Sequence, residues 1–188
     1  MSGKPGKNEK HAATARRKEL RLDAGAERVE QVAVPPLGLT VNWKNGRIAS
    51  LHLRRAEGPR LDKDASESAQ ALHAALSRLA KGQCADFPDL PLDWDQLPPF
   101  TRQVLSALLG QVGHGATVTY GELARLSGNP GKARAVGQAM ARNPWPLVYP
   151  CHRILAAGGR PGGFSAQGGL ELKGWLLELE GWGARNRC

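Results

Sequence analysis

Four consecutive residues, Gly128-Asn129-Pro130-Gly131, constrain this chain more tightly than any other stretch. Pro130 lacks a backbone N–H and its ring clashes with a helical carbonyl, while each glycine loses the most freedom when held in a helix. Any helix before them must stop there, and any helix after them must start afresh. Upstream, Thr119 with Glu122 three positions on forms a capping box, which opens a helix through about Ser127. Downstream, a second helix over about 132–142 ends before Asn143-Pro144, because a residue preceding proline avoids helical backbone. Two short helices across a tight glycine-containing turn form a helix-turn-helix pattern. Many such hairpins bind nothing, so function has to be argued from the residues they carry.

The second helix, ARAVGQAMAR, presents small residues at Ala135, Gly137, Ala139 and Ala141, flanked by Arg134 and Arg142. Small side chains let a backbone approach a partner closely. Packing against another helix is the alternative, and the charge pattern decides between them. The net charge is +9; within residues 110–170 there are six Lys/Arg against one Asp/Glu, whereas residues 32–95 balance at eight of each. Positive charge clustered on a two-helix unit is the footprint of a polyanion-binding surface. Nucleic acid is the expected partner.

The first half carries different signals. Residues 1–31 are polar and aromatic-free, with eight Lys/Arg and five Asp/Glu, and read as a flexible basic segment in which ARRKELRLDAGAERVEQV weakly signals a short helix. LGLTVNW and RIASLHL are alternating runs joined through Asn45-Gly46, and both turn residues tolerate positive φ, so a hairpin is expected. Ala69, Leu72, Leu76 and Leu79 recur at helical spacing. Residues 32–91 therefore form a small α+β domain. CADFPDLPLDWDQLPP reads as a linker into a unit spanning 92–188, opened by a helix with Pro99 in its first turn and an apolar stripe of Phe100, Val104, Leu105, Leu108, Leu109 and Val112. The fold class is α+β: a hairpin-containing domain followed by a mainly helical one with a helix-turn-helix, winged-helix-like unit.

Three cysteines, Cys84, Cys151 and Cys188, without C-x-x-C spacing fit neither a disulfide scaffold nor a zinc site. Cys84 reads as a packed or solvated thiol. Cys151 differs: PLVYPCHRIL places it behind Pro150 and ahead of His152 and Arg153. LVY reads as a short buried strand delivering the thiol into a constrained turn. Thiolate is the nucleophile, and a nearby imidazole or cation favours it. Adjacent side chains on extended backbone point apart, so a water bridge is an alternative to direct Cys151–His152 contact. A buried cysteine acting as a small hydrophobe is the competing reading.

RAVGQAMARNPWPLVYPCHRI, followed by GGFSAQGG and KGWLLELEG, resembles the O6-alkylguanine-DNA alkyltransferases, over about Leu92 to Gly181. The resemblance implies a single-use repair protein that binds double-stranded DNA in the minor groove, flips an alkylated guanine into a pocket and takes its alkyl group. It gives Cys151 the role of nucleophile and alkyl acceptor, His152 that of base acting through water, and Glu180, rather than Glu178, that of orienting the imidazole. It makes Asn143 the residue holding the active-site turn and Tyr120 the one crowding the adjacent phosphate and donating to the base. Arg134 fills the space the flipped base leaves, while Ala135, Gly137, Ala139 and Arg142 face DNA. Pro146, Tyr149, Phe164 and Ser165 are assigned to the substrate pocket. No cofactor and no metal are implied, since the zinc ligands of some members have no match here. The expected protein is a monomer, soluble and cytoplasmic, nucleoid-associated on DNA or nuclear in a eukaryote. No apolar run approaches the roughly 20 residues of a membrane helix, and the charged N-terminus does not look like a secretory signal.

Two departures stand out. Tyr149 occupies a position where the family usually has an aliphatic residue, and the loop GGFSAQGGLELK is longer than in relatives whose aromatic-Ser-Gly-Gly run meets the helix directly. A lesion reader without transfer would lack the cysteine, and a methylation-sensing adaptor would need a further domain with cysteines of its own. A cysteine hydrolase would need a turnover mechanism.

Overall fold

The computed structural model describes residues 27–182. Strands β1 (Arg28–Val34), β2 (Leu37–Lys44) and β3 (Arg47–Arg55) form an antiparallel meander in the order β1-β2-β3. The β2–β3 turn has Asn45 at φ 51° and Gly46 at φ 72°. These are the positive values that a two-residue hairpin requires and that Asn-Gly adopts at least cost. Of the weakly signalled helix, residues 15–26 lie outside the described residues, and 28–32 are strand. The reason is tertiary. Glu30, only 4% exposed, accepts from Arg28, the Trp43 ring N–H, and the Ser66 N–H and hydroxyl. A carboxylate is thus buried with its hydrogen bonds satisfied, which no local propensity reveals.

Helix α1 (Glu67–Leu79) starts at Ser66, whose hydroxyl accepts from the Ala69 N–H. It lays Ala69, Leu72, Leu76 and Leu79 on the sheet, all buried, as their spacing requires. The proline-rich connection then runs along β3, with the Ile48 N–H donating to the Pro91 carbonyl, and ends in a 3-10 turn at Trp94–Gln96.

Helix α2 (Pro99–Gln111) carries its first proline at N1. Val104, Leu105 and Leu108 are buried, as is Val112 just beyond the helix, whereas Leu109 lies on the exposed side. Strand β4 (Val118–Thr119) pairs in parallel with β5 (Ile154–Leu155). Helices α3 (Tyr120–Leu126) and α4 (Ala133–Ala141) follow β4, and α5 (Gly169–Leu179) closes the described chain. The fold is therefore α+β, as expected.

The two halves share one hydrophobic core. The Leu51 N–H of β3 donates to the Pro144 carbonyl, and the Trp145 ring N–H donates to the Ile48 carbonyl. Trp145 is fully buried and stacks edgewise on Trp94. Truncating such a residue costs roughly 3–5 kcal/mol. Through these contacts the hairpin braces the turn that carries Cys151.

Candidate active site

The chain between α4 and Cys151 is not the strand expected for LVY. It is a tight turn with Leu147 at φ 70° and the Tyr149 N–H bonded back to the Trp145 carbonyl. Two prolines, Pro144 and Pro146, remove N–H groups a sheet would use. Asn143 holds the turn closed, with its side-chain N–H donating to the Tyr149 carbonyl at 2.8 Å and its side-chain oxygen accepting from the Trp145 N–H at 3.1 Å. Pro150 then leads into a single 3-10 turn, Cys151–Arg153, in place of extended backbone.

Cys151 is a free thiol, 8% exposed, at the wall of a cavity of about 250 Å3. Tyr120, Gly137, Met140, Ala141, Gly163, Phe164 and Ser165 complete that cavity. Helix α3 contributes Tyr120 because the capping box forms as read: the Glu122 N–H donates to the Thr119 hydroxyl, and the Glu122 carboxylate accepts from the Thr119 N–H at 2.6 Å. Tyr120 donates to the Gly163 carbonyl at 3.4 Å. Burial, and secondarily the nearby Cys151, push its phenol up, so it stays a donor.

Behind the thiol lies a buried charge cluster. Glu180 Oε1 is 2.9 Å from His152 Nε2, and Arg153 donates twice to the same carboxylate at 2.8 and 3.0 Å. Glu180 occupies the C-cap of α5, and Gly181 at φ 74° turns the chain away so that the carboxylate stays inside. Burial alone would raise Glu180, but hydrogen bonds and charges from His152 and Arg153 outweigh it and hold the carboxyl well below the usual range. Burial pushes the His152 imidazolium down against the opposing pull of Glu180, which leaves a neutral ring. An ionised carboxylate only accepts, so Nε2 carries the ring proton and Nδ1 keeps its lone pair. That Nδ1 is buried without a partner. Burial likewise raises the Cys151 thiol, opposed by the Asn143 side chain, the charge of Lys173 and two backbone amides. The resting pair is therefore a protonated thiol beside a neutral base.

Lys173 was not singled out by sequence reasoning. It is fully buried, and its ammonium donates to the carbonyls of Ile154 and Gly162, tying α5 to the segment leaving the Cys151 turn and to the cavity loop. One signal was available: a lysine on the stripe shared by Leu172 and Leu176, where a charge needs a partner.

The remaining assignments separate. Phe164 and Ser165 line the Cys151 cavity. Tyr149 does not; its ring packs edgewise on Trp94 and beside Trp145, and it lines a second cavity behind the turn. Pro146 is buried within the turn and lines neither cavity. On α4, Arg134 and Gln138 are exposed, as is Arg142 at its C-cap, and Ala135 and Gly137 are half-buried, whereas Ala139 is 5% exposed and faces the core beside Val136 and Met140. Ala139 is thus corrected from a contact surface to a packing residue, the helix period placing it inward.

Cys151 thus lines a cavity walled by the helix-turn-helix, next in sequence to the buried His152–Glu180 pair. A family model for the 6-O-methylguanine DNA methyltransferase DNA-binding domain matches residues 99–182. The methylated-DNA–protein-cysteine methyltransferase of Homo sapiens is 51% identical over 86 residues, 46% of this chain but 41% of that protein. The chain thus spans about two fifths of the mammalian relatives it matches. The methyltransferase of Methanothermobacter thermautotrophicus is 34% identical over 150 residues, 78% of this chain and 81% of that one. A DNA base-flipping protein of Thermus thermophilus is 39% identical over 137 residues, 71% and 90% of the two chains. The solved structure of Mycobacterium tuberculosis OGT in complex with DNA superposes with a TM-score of 0.65 at 32% identity, covering 81% of this chain and 91% of that one. The chain belongs to the methylated-DNA–protein-cysteine methyltransferase family.

Proposed function

We propose that this chain repairs DNA by taking the alkyl group of an O6-alkylguanine onto Cys151, once per molecule. The observation that carries the reading is Cys151 itself: a free thiol lining the cavity, with the unpartnered His152 Nδ1 buried behind it. His152 draws the thiol proton through one water. Sγ then forms a bond to the alkyl carbon as the carbon–O6 bond breaks, and the guanine leaves with a proton from Tyr120. The imidazolium made on the way is stabilised by Glu180 at 2.9 Å, following the orienter–base–nucleophile logic of a triad. Asn143 and the charge of Lys173 favour the transient thiolate. The thioether product is inert to water, so the protein is consumed.

The substrate reaches the cavity by leaving the base stack, which costs a few kcal/mol. The exposed Arg134 of α4 and Arg142 at its C-cap meet the backbone of double-stranded DNA, and the half-buried Ala135 and Gly137 allow close approach along the minor groove. Arg134 holds the space the base vacates. Residues 92–188 form the transfer unit, residues 32–91 brace it, and residues 1–31 add basic charge. The protein acts as a monomer in the compartment that holds the DNA, the cytoplasm of a bacterium or the nucleus of a eukaryote.

The test is peptide mass mapping after incubation with a duplex carrying O6-methylguanine. A methyl group on Cys151 supports the reading. Tight lesion binding with Cys151 unmodified would leave only a lesion reader.

A further inference from the structure

Glu180 Oε1 has one neighbour that the transfer reading does not use. Besides His152 Nε2 at 2.9 Å and Arg153 Nη2 at 3.0 Å, His114 Nδ1 lies 4.0 Å away. His114 sits between α2 and β4, and the adjacent Gly115 N–H reaches Glu180 Oε2 at 3.4 Å. The His114 Nδ1 is buried without a hydrogen-bond partner, although the residue lines the second cavity, of about 400 Å3, behind the Cys151 turn. An unpaired buried nitrogen is a cost that a small ring movement toward Oε1 would remove. The charged groups around it are few. Glu180 faces it directly and also holds His152 and Arg153, and Arg153 lines the same cavity as His114. Asp86 and Asp89 of the connection line the same cavity, where Leu109 of α2 and Val112 and Gly113 just beyond it bring no charge.

Resting on the alkyl-transfer reading, we propose that His114 is a positioning residue for the His152–Glu180 pair. Neutral, it leaves Oε1 to His152. Charged, it closes on Oε1 as an ion pair and makes His152 a weaker base. The two rings approach one oxygen, so their charged forms lie within about 7 Å of each other, close enough for mutual repulsion to suppress the second protonation about tenfold. His152 must take a proton for the thiolate to form. Transfer therefore slows more steeply with acid than His152 alone would dictate.

The experiment measures single-turnover transfer from free O6-benzylguanine to the parent chain, His114→Gln and His114→Phe between about pH 8.5 and pH 5.5. The expected result is a variant-to-parent rate ratio that rises about tenfold toward the acid end. A ratio that stays flat overturns the proposal, because a merely structural role shifts rates equally at every pH. Ring-nitrogen NMR on the resting parent chain decides the matter even if both variants fail to fold. The His152 signals should register a second step that coincides with titration of His114, and their indifference to it overturns the coupling. Should no transfer occur at any pH, the repair reading fails while the nitrogen titration still tests His114.

Discussion

Replacing Glu180 by Gln keeps the shape of the side chain and removes its charge, which makes it the sharpest probe of the cluster. In the parent chain the carboxylate accepts from His152 at 2.9 Å and from Arg153 at 2.8 and 3.0 Å, with all three side chains at least nine-tenths buried. A glutamine offers one acceptor and turns an NH2 toward donors. Arg153 is then a buried charge without its counter-ion, and breaking such a pair costs about 3–5 kcal/mol. Denaturant unfolding at neutral pH should show that loss. Because the Glu180 carboxyl is held below its unfolded value, its contribution is complete above the ordinary carboxylate range, about pH 4.3. It fades as pH falls through the folded value, so the gap between parent and variant closes only in strong acid. Transfer suffers separately. Without Glu180 the His152 imidazolium has no stabilising partner, and single-turnover transfer to Cys151 should drop about 10²–10⁴-fold, up to the loss seen when the orienting carboxylate of a triad is neutralised. Raising the pH should shrink the defect as the thiol ionises unaided, above the ordinary thiol range because Cys151 is buried. A folded variant that transfers within about threefold of the parent at neutral pH would refute the role given to this pair.

Arg134→Ala should slow reaction on an alkylated duplex at least tenfold while changing reaction with free alkylated base little, since Arg134 is exposed on α4 and outside the cavity; equal losses on both would contradict a role in base extrusion. Asn143→Ala leaves the Tyr149 carbonyl and Trp145 N–H unpaired, so it should cost about 1–3 kcal/mol in thermal or denaturant unfolding. It should also move Cys151 ionisation upward, as read by the pH dependence of thiol alkylation. A Cβ on Gly162 would lie 3.0 Å from Tyr120 Cε2 and 3.2 Å from its hydroxyl. Gly162→Ala should therefore displace the ring and slow transfer about tenfold at unchanged melting temperature; an unchanged rate would show that the placement of Tyr120 is not limiting.

Where chemistry is local, the sequence was legible. Asn45-Gly46 carries its own backbone preference, the box at Thr119 and Glu122 is a contact within one turn, and the α1 stripe is periodicity alone. The Cys-His-Arg run with the distant Glu180 was also readable, through family resemblance, since nothing local connects residues 28 apart. What failed depended on tertiary contact. The LVY segment looks like a strand, but Pro144, Pro146 and the Asn143 bridge fold it into a turn with Leu147 in left-handed backbone. Arg28–Val32 looked polar because Glu30 is a buried hub rather than a surface charge. Ala139 and Tyr149 were assigned to surfaces they do not line, since small or aromatic character does not say which way a side chain turns. Lys173 and His114 were invisible for the same reason: their partners come from other elements.

The most direct test counts transferred groups. Radiolabelled O6-methylguanine duplex, mixed in tenfold excess with the parent chain and with Cys151→Ser, should leave one label per parent molecule and none on the variant, with no further release of repaired DNA after that first equivalent. Continued turnover beyond one equivalent, or label carried by the Cys151→Ser chain, would contradict the account.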